Sequence, residues 1–126
     1  MTPQREEALR LLRLAWRDKG TFDLLLPLPA ARIEAIGFHA QQSVEKALKA
    51  LAALNGLPLQ RTHDLVALGH ALSEHGLVLP VSEEQLRSLN PFAVEFRYDD
   101  EVLSTTNREE LAIMLPLVLD WAERSI

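Results

Sequence analysis

Between two proline-marked breaks, the run from Ala30 to about Asn55 carries its apolar residues at helical spacing: Ile33, Gly37, Ala40, Val44, Ala47, Leu48 and Leu51 share one side. Roughly seven turns of helix fit in that length. Asn55-Gly56 followed by Pro58 supplies the stop, because glycine accepts the left-handed position after a helix and proline blocks its continuation. A helix this long with one apolar side must be covered by other elements. Leu and Ala dominate the apolar set, and no alternating strand pattern of useful length occurs, so those elements are expected to be helices too. Gly37 and Ala40 on the covered side would let a neighbouring helix approach closely.

The flanking signals divide the rest of the chain. Thr2-Pro3 reads as a cap and first helical residue, with Leu9, Leu12, Ala15 and Trp16 following at helical spacing. Gly20 is expected to bend this helix before the Leu26-Pro27-Leu28-Pro29 break. A further helix should begin near Thr62, with Thr62 or Asp64 capping it, and run towards Gly76. Ser82 and Gln85 have capping-box spacing, with Val81 and Leu86 as a hydrophobic staple. Asn90-Pro91 reads as a break and restart, with Asn90 as cap and Pro91 as first residue, and Thr106 with Glu109 as a second capping box. Pro116 should kink the last helix. The expected fold is all-α, an up-and-down antiparallel bundle of four to five helices in one domain over residues 1–126.

A formal charge of −5 argues against a bulk electrostatic grip on nucleic acid or on an anionic membrane. The chain has no cysteine, which removes disulfides, thiol catalysis and cysteine metal sites. Its N-terminus lacks an apolar signal core and no apolar stretch is long enough to span a bilayer, so a cytoplasmic location is expected.

On the long helix, His39, Gln42, Lys46 and Lys49 follow steps of three, four and three and form one stripe opposite Ile33, Val44 and Leu51. Spacing alone makes this stripe a solvated outer face. Phe38 on its flank and the helix-indifferent choice of His39 point instead to a covered surface. Arg61-Thr62-His63-Asp64-Leu65 forms the following turn, where Asp64 suits a helix N-terminus and His63 has no capping role. The run Val94 to Glu101 ends a helix with Arg97 and Tyr98 next to three acids, Asp99, Asp100 and Glu101. Three sequential carboxylates point in different directions, and His39, His63, His70 and His75 match no standard zinc spacing, so neither metal nor cofactor is expected.

Three segments together resemble the HEPN domain family: the run Phe38-His39-Ala40-Gln41-Gln42-Ser43-Val44-Glu45-Lys46-Ala47-Leu48-Lys49-Ala50, the turn Thr62-His63-Asp64-Leu65, and the later dipeptide Arg97-Tyr98. The resemblance spans nearly the whole chain. It implies a helical bundle, commonly a homodimer, associated with nucleotides or RNA. Small stand-alone members often work beside a minimal nucleotidyltransferase, some pairs forming toxin–antitoxin systems. Active members are metal-independent endoribonucleases with an Arg followed after four to six residues by His. Here no histidine occurs after His75, and acids follow Arg97. Arg32 and His39 have the spacing but lie in the signature helix, and are read as coincidence. Carboxylates in the histidine's place would repel RNA phosphate. The resemblance therefore implies binding in preference to cleavage, with His39, Gln42, Lys46, Lys49, His63, Asp64, Arg97 and Tyr98 as nucleotide- or partner-binding residues. The alternative it implies is an endoribonuclease toxin with Arg97 as phosphate clamp and a displaced base such as His39 or His63.

Overall fold

The computed structural model describes residues 1–58, 60–93 and 106–126. Among these residues five α-helices follow one another: α1 (Pro3–Leu25), α2 (Ile33–Leu54), α3 (Leu65–Glu74), α4 (Glu83–Leu89) and α5 (Arg108–Ser125), with a 3-10 turn at Asn90–Phe92 after α4. Among the described residues there is no strand. The all-α bundle expected from the sequence is what the chain forms.

Several boundaries follow from local chemistry. Thr2 caps α1 by accepting from the Arg5 amide at 3.1 Å, with Pro3 in the first turn. Ser82 and Gln85 form both halves of the capping box that starts α4. Gly56, at φ 68°, closes α2 while its own amide and that of Leu57 return to the carbonyls of Ala53 and Ala52.

Other boundaries differ from expectation. The helix α1 runs unbroken past Gly20 as far as Leu25. The start of α2 is Ile33, later than Ala30, because residues 26–31 form turns held by Arg108. Its guanidinium donates to the carbonyls of Leu26 (2.6 Å), Leu28 (2.9 Å) and Ala31. Of the two caps open to α3, Asp64 is the one used, through the amides of Val66 and Ala67, while the Thr62 hydroxyl accepts from the Asp64 amide. Asn90 does not cap the turn that follows it. Its side chain reaches back across the sequence, donating to Asp64 (2.9 Å) and accepting from the Leu65 amide (3.0 Å). The cap of α5 is Asn107, which accepts from the Glu110 amide, one residue later than the Thr106–Glu109 pairing. The helix continues through Pro116.

The central element is α2. It packs most extensively on α1 and also meets α3, α4, α5 and the 3-10 turn. Its buried residues run from Ala50 round to Glu45 and cover roughly 220° of the circumference at about 100° per residue. Small residues of both helices, Ala8 and Ala15 of α1 and Ala40 and Ala47 of α2, are buried in one core, and the Ser43 hydroxyl donates to the Ala15 carbonyl at 2.8 Å. Gly37 serves a different neighbour from the helix expected. A Cβ there would overlap the ring of Phe92, so its missing side chain seats the 3-10 turn. Among the described residues, no helix is long and apolar enough to cross a membrane.

Candidate functional site

The stripe on α2 is not an outer face. His39, Lys46 and Lys49 are all partly buried: His39 and Lys46 are drawn to Asp18 of α1, a carboxylate that spacing on one helix could not reveal, and Lys49 to Glu45 one turn before it. The breadth of burial on α2 leaves the stripe as a seam between neighbouring elements.

Towards α1, two stripe residues converge on Asp18. His39 Nδ1 lies 3.2 Å from Asp18 Oδ1, and Lys46 Nζ pairs with Oδ2. Only 15% of the Asp18 side chain is exposed, so the carboxylate is set between the two helices. An ionised carboxylate can only accept, so a neutral His39 carries its proton on Nδ1 and leaves Nε2 as an acceptor. The ring is fixed on its other side by Phe38, edge-on at 5.2 Å between centroids. Phe38 is thus half-buried against a neighbour within the chain. Around this group lies a depression of about 330 Å³, completed by Leu14, Arg17 and Thr21 of α1. Arg17 is exposed, and among the described residues no carboxylate contacts it. Two cations and one imidazole therefore face a single acid, an arrangement suited to an anion.

Towards α3, the centre is Glu45, 5% exposed. It accepts from Gln41 (3.1 Å) and Lys49 (3.2 Å), and His63 Nδ1 lies 2.7 Å from its Oε1. Gln41 is fully buried and makes three side-chain hydrogen bonds. Its amide nitrogen also donates to the His63 carbonyl (3.2 Å), and its oxygen accepts from Gln42 (2.8 Å). The signature helix and the Thr62–Leu65 turn are thus tied by side chains and backbone together. The His63 imidazole is 67% exposed, held by one nitrogen while the other faces outward. Asp64 belongs to the structure of the turn: the Asn90 amide, then the Ala67 and Val66 amides and the more distant Arg87, hold its carboxyl below the usual range.

Of the site residues expected from the sequence, His39 and Lys46 meet at Asp18, and Gln42, Lys49 and His63 belong to the Gln41–Glu45 network. Arg97 and Tyr98 lie outside the described residues. Asp18, Gln41 and Glu45 were not singled out by spacing. A sequence signal for Gln41 and Glu45 did exist, since they sit at i, i+4 beside the buried side of a helix whose apolar arc is too wide for a surface element. Arg32, the formal partner of His39, is exposed at the start of α2 with no side-chain capping bond. Among the described residues, no group of three His, Asp or Glu side chains is placed to hold a metal ion.

A helical bundle braced through a polar helix of this pattern defines an all-α class built around α2 and the turn that follows it. The HEPN domain family profile matches residues 8–124, nearly the whole chain, and the chain belongs to that family. No curated protein and no solved structure shows a significant match to it.

Proposed function

We propose that this HEPN domain is a non-catalytic binding module in which the α1/α2 cleft takes the phosphate end of a nucleotide, or presents the same surface to a nucleotidyltransferase partner. The observation that carries this reading is the convergence of His39 and Lys46 on Asp18, beside Arg17, in an open depression of about 330 Å³. Asp18 orients both groups before any ligand arrives, which lowers the ordering cost of binding. Arg17 adds a guanidinium suited to two phosphate oxygens at once. The family's general association with nucleotides and RNA agrees with an anionic ligand. A homodimer, a cytoplasmic location and a role in a toxin–antitoxin pair belong to the same reading.

Calorimetric titration with ATP, ADP and AMP tests it. Saturable heat supports the nucleotide version. No heat with any of them removes that version and leaves partner recognition, tested by co-purification with a minimal nucleotidyltransferase.

A second reading is favoured by the matched poses of His39 and His63. Each presents Nδ1 to a carboxylate and leaves Nε2 for proton transfer. With Arg97 as phosphate clamp, either could serve as the base of an endoribonuclease. RNA cleavage by the pure protein, lost in Arg97→Ala and in one of the two histidine variants, would favour this reading over binding alone.

A further inference from the structure

At the far end of α2 lies a second cavity, of about 420 Å³, where α1, α2 and α3 diverge. The two cavities share no lining residue, and they come nearest at Leu11 and Leu14 of α1 and at Lys49 and Lys46 of α2, one helical turn apart. It exists because small side chains stand where three helices meet. Ala52 and Ala53 of α2 and Ala71 of α3 leave a gap walled by Leu11, Leu57 and Leu68. The volume lies within the range of small-molecule sites, and an apolar body is what such walls accept.

The mouth decides the rest of the ligand. Glu7 and Lys49 stand at it, but each is already matched. The Glu7 carboxylate receives both arms of Arg10 (2.7 and 2.8 Å), and Lys49 donates to Glu45. The Arg10 guanidinium holds Glu7 below the usual carboxylate range, as expected for a carboxylate kept charged and paired. Gln60, Glu74 and His75 complete the mouth. Among the described residues, no side-chain partner is found for any of these three. With the two pairs cancelling, Glu74 is the one carboxylate of the mouth left without a partner among the described residues.

We propose that this cavity is a binding site for a small amphipathic amine: a compact apolar body of about ten carbon atoms bearing one protonated nitrogen. The body fills the alanine-lined gap, the ammonium meets the Glu74 carboxylate, and the Gln60 carbonyl oxygen accepts a second hydrogen bond. This inference is independent of the α1/α2 cleft, where the expected ligand is an anion.

The test uses the full chain and three probes of equal shape: 3-phenylpropylamine, 3-phenylpropanol and 3-phenylpropanoate. Binding is followed by nitrogen–proton correlation NMR. The amine should bind with shifts centred on residues 52–53 and 68–75, the alcohol about fivefold more weakly, and the carboxylate more weakly still. Ala71→Leu should abolish amine binding while leaving the fold's spectrum intact, because leucine fills the gap. Glu74→Gln should bring the amine down to the alcohol's affinity, and this second variant leaves the cavity volume alone. Equal affinity for amine and carboxylate, unchanged amine binding in either variant, or no shifts at millimolar probe would overturn the proposal. So would self-association of the wild type that Ala71→Leu abolishes without any amine binding, since the cavity would then be an interface between copies.

Discussion

The His63 imidazole contacts Glu45 at 2.7 Å although the two side chains differ sharply in exposure, 67% against 6%. This asymmetry predicts unequal consequences for the two partners. Removing Glu45 leaves Gln41 and Lys49 facing a partly buried gap, whereas removing His63 leaves a carboxylate still served by two donors. Glu45→Ala should cost about 2–3 kcal/mol and His63→Ala about 1 kcal/mol or less. Urea unfolding of the two variants at pH 7 reads the difference directly. Equal costs would mean that the bond, rather than the buried acid, carries the bracing.

Gly37 and Phe92 form a steric pair. A Cβ at position 37 has no room while the ring is seated. Gly37→Ala should destabilise by about 1–3 kcal/mol, the usual cost of overpacking a core. Combining it with Phe92→Leu should recover part of that loss, giving a coupling measurable in a double-mutant cycle. Additive losses would contradict the packing described here.

Arg108 holds three carbonyls of the α1–α2 connection. Arg108→Met keeps much of the aliphatic stem and removes every donor. Amide hydrogen exchange within residues 26–32 should accelerate, and global stability should fall by about 1–3 kcal/mol. Unchanged exchange in that segment would show that the turns hold themselves.

Asp64 gives the stability a predictable pH dependence. Its folded-state carboxyl titrates below the usual value, chiefly because the Asn90 amide donates to it. Such a group stabilises the fold above its unfolded value of about 3.9, and that contribution is lost as pH falls through the lower folded value. Asp64→Asn keeps a good capping side chain and loses only the charge. The wild type should therefore exceed Asp64→Asn by a few tenths of a kcal/mol at pH 7, with the gap closing as pH falls through and below the usual carboxylate range. Circular dichroism melts across that range check it, and a gap that widens in acid would contradict the assignment.

How much of this was legible in the sequence depends on range. The Thr2-Pro3 start, the Asn55-Gly56 stop and the Ser82–Gln85 box involve residues within five positions of one another, so their chemistry is written locally. Asn90 reads as a cap by the same logic, yet its side chain is spent on Asp64 and Leu65, twenty-five residues or more away. The candidate site divides in the same way. Helical spacing brought His39 and Lys46 onto one stripe, but the carboxylate that gathers them sits on α1 and became visible only once the helices were packed. Glu45 was hidden by its company, lying in a charged run that reads as surface while the helix is buried on both flanks.

The central proposal, an anion-binding cleft over Asp18, is most directly tested by titrating ATP into isotopically labelled protein and following backbone and imidazole resonances. The prediction is saturable shifts clustered at Arg17, Asp18, His39 and Lys46, weakened about tenfold by Arg17→Glu, which reverses an exposed charge without touching the packed pairs. Shifts that cluster elsewhere, or ATP binding that Arg17→Glu leaves unchanged, would contradict it.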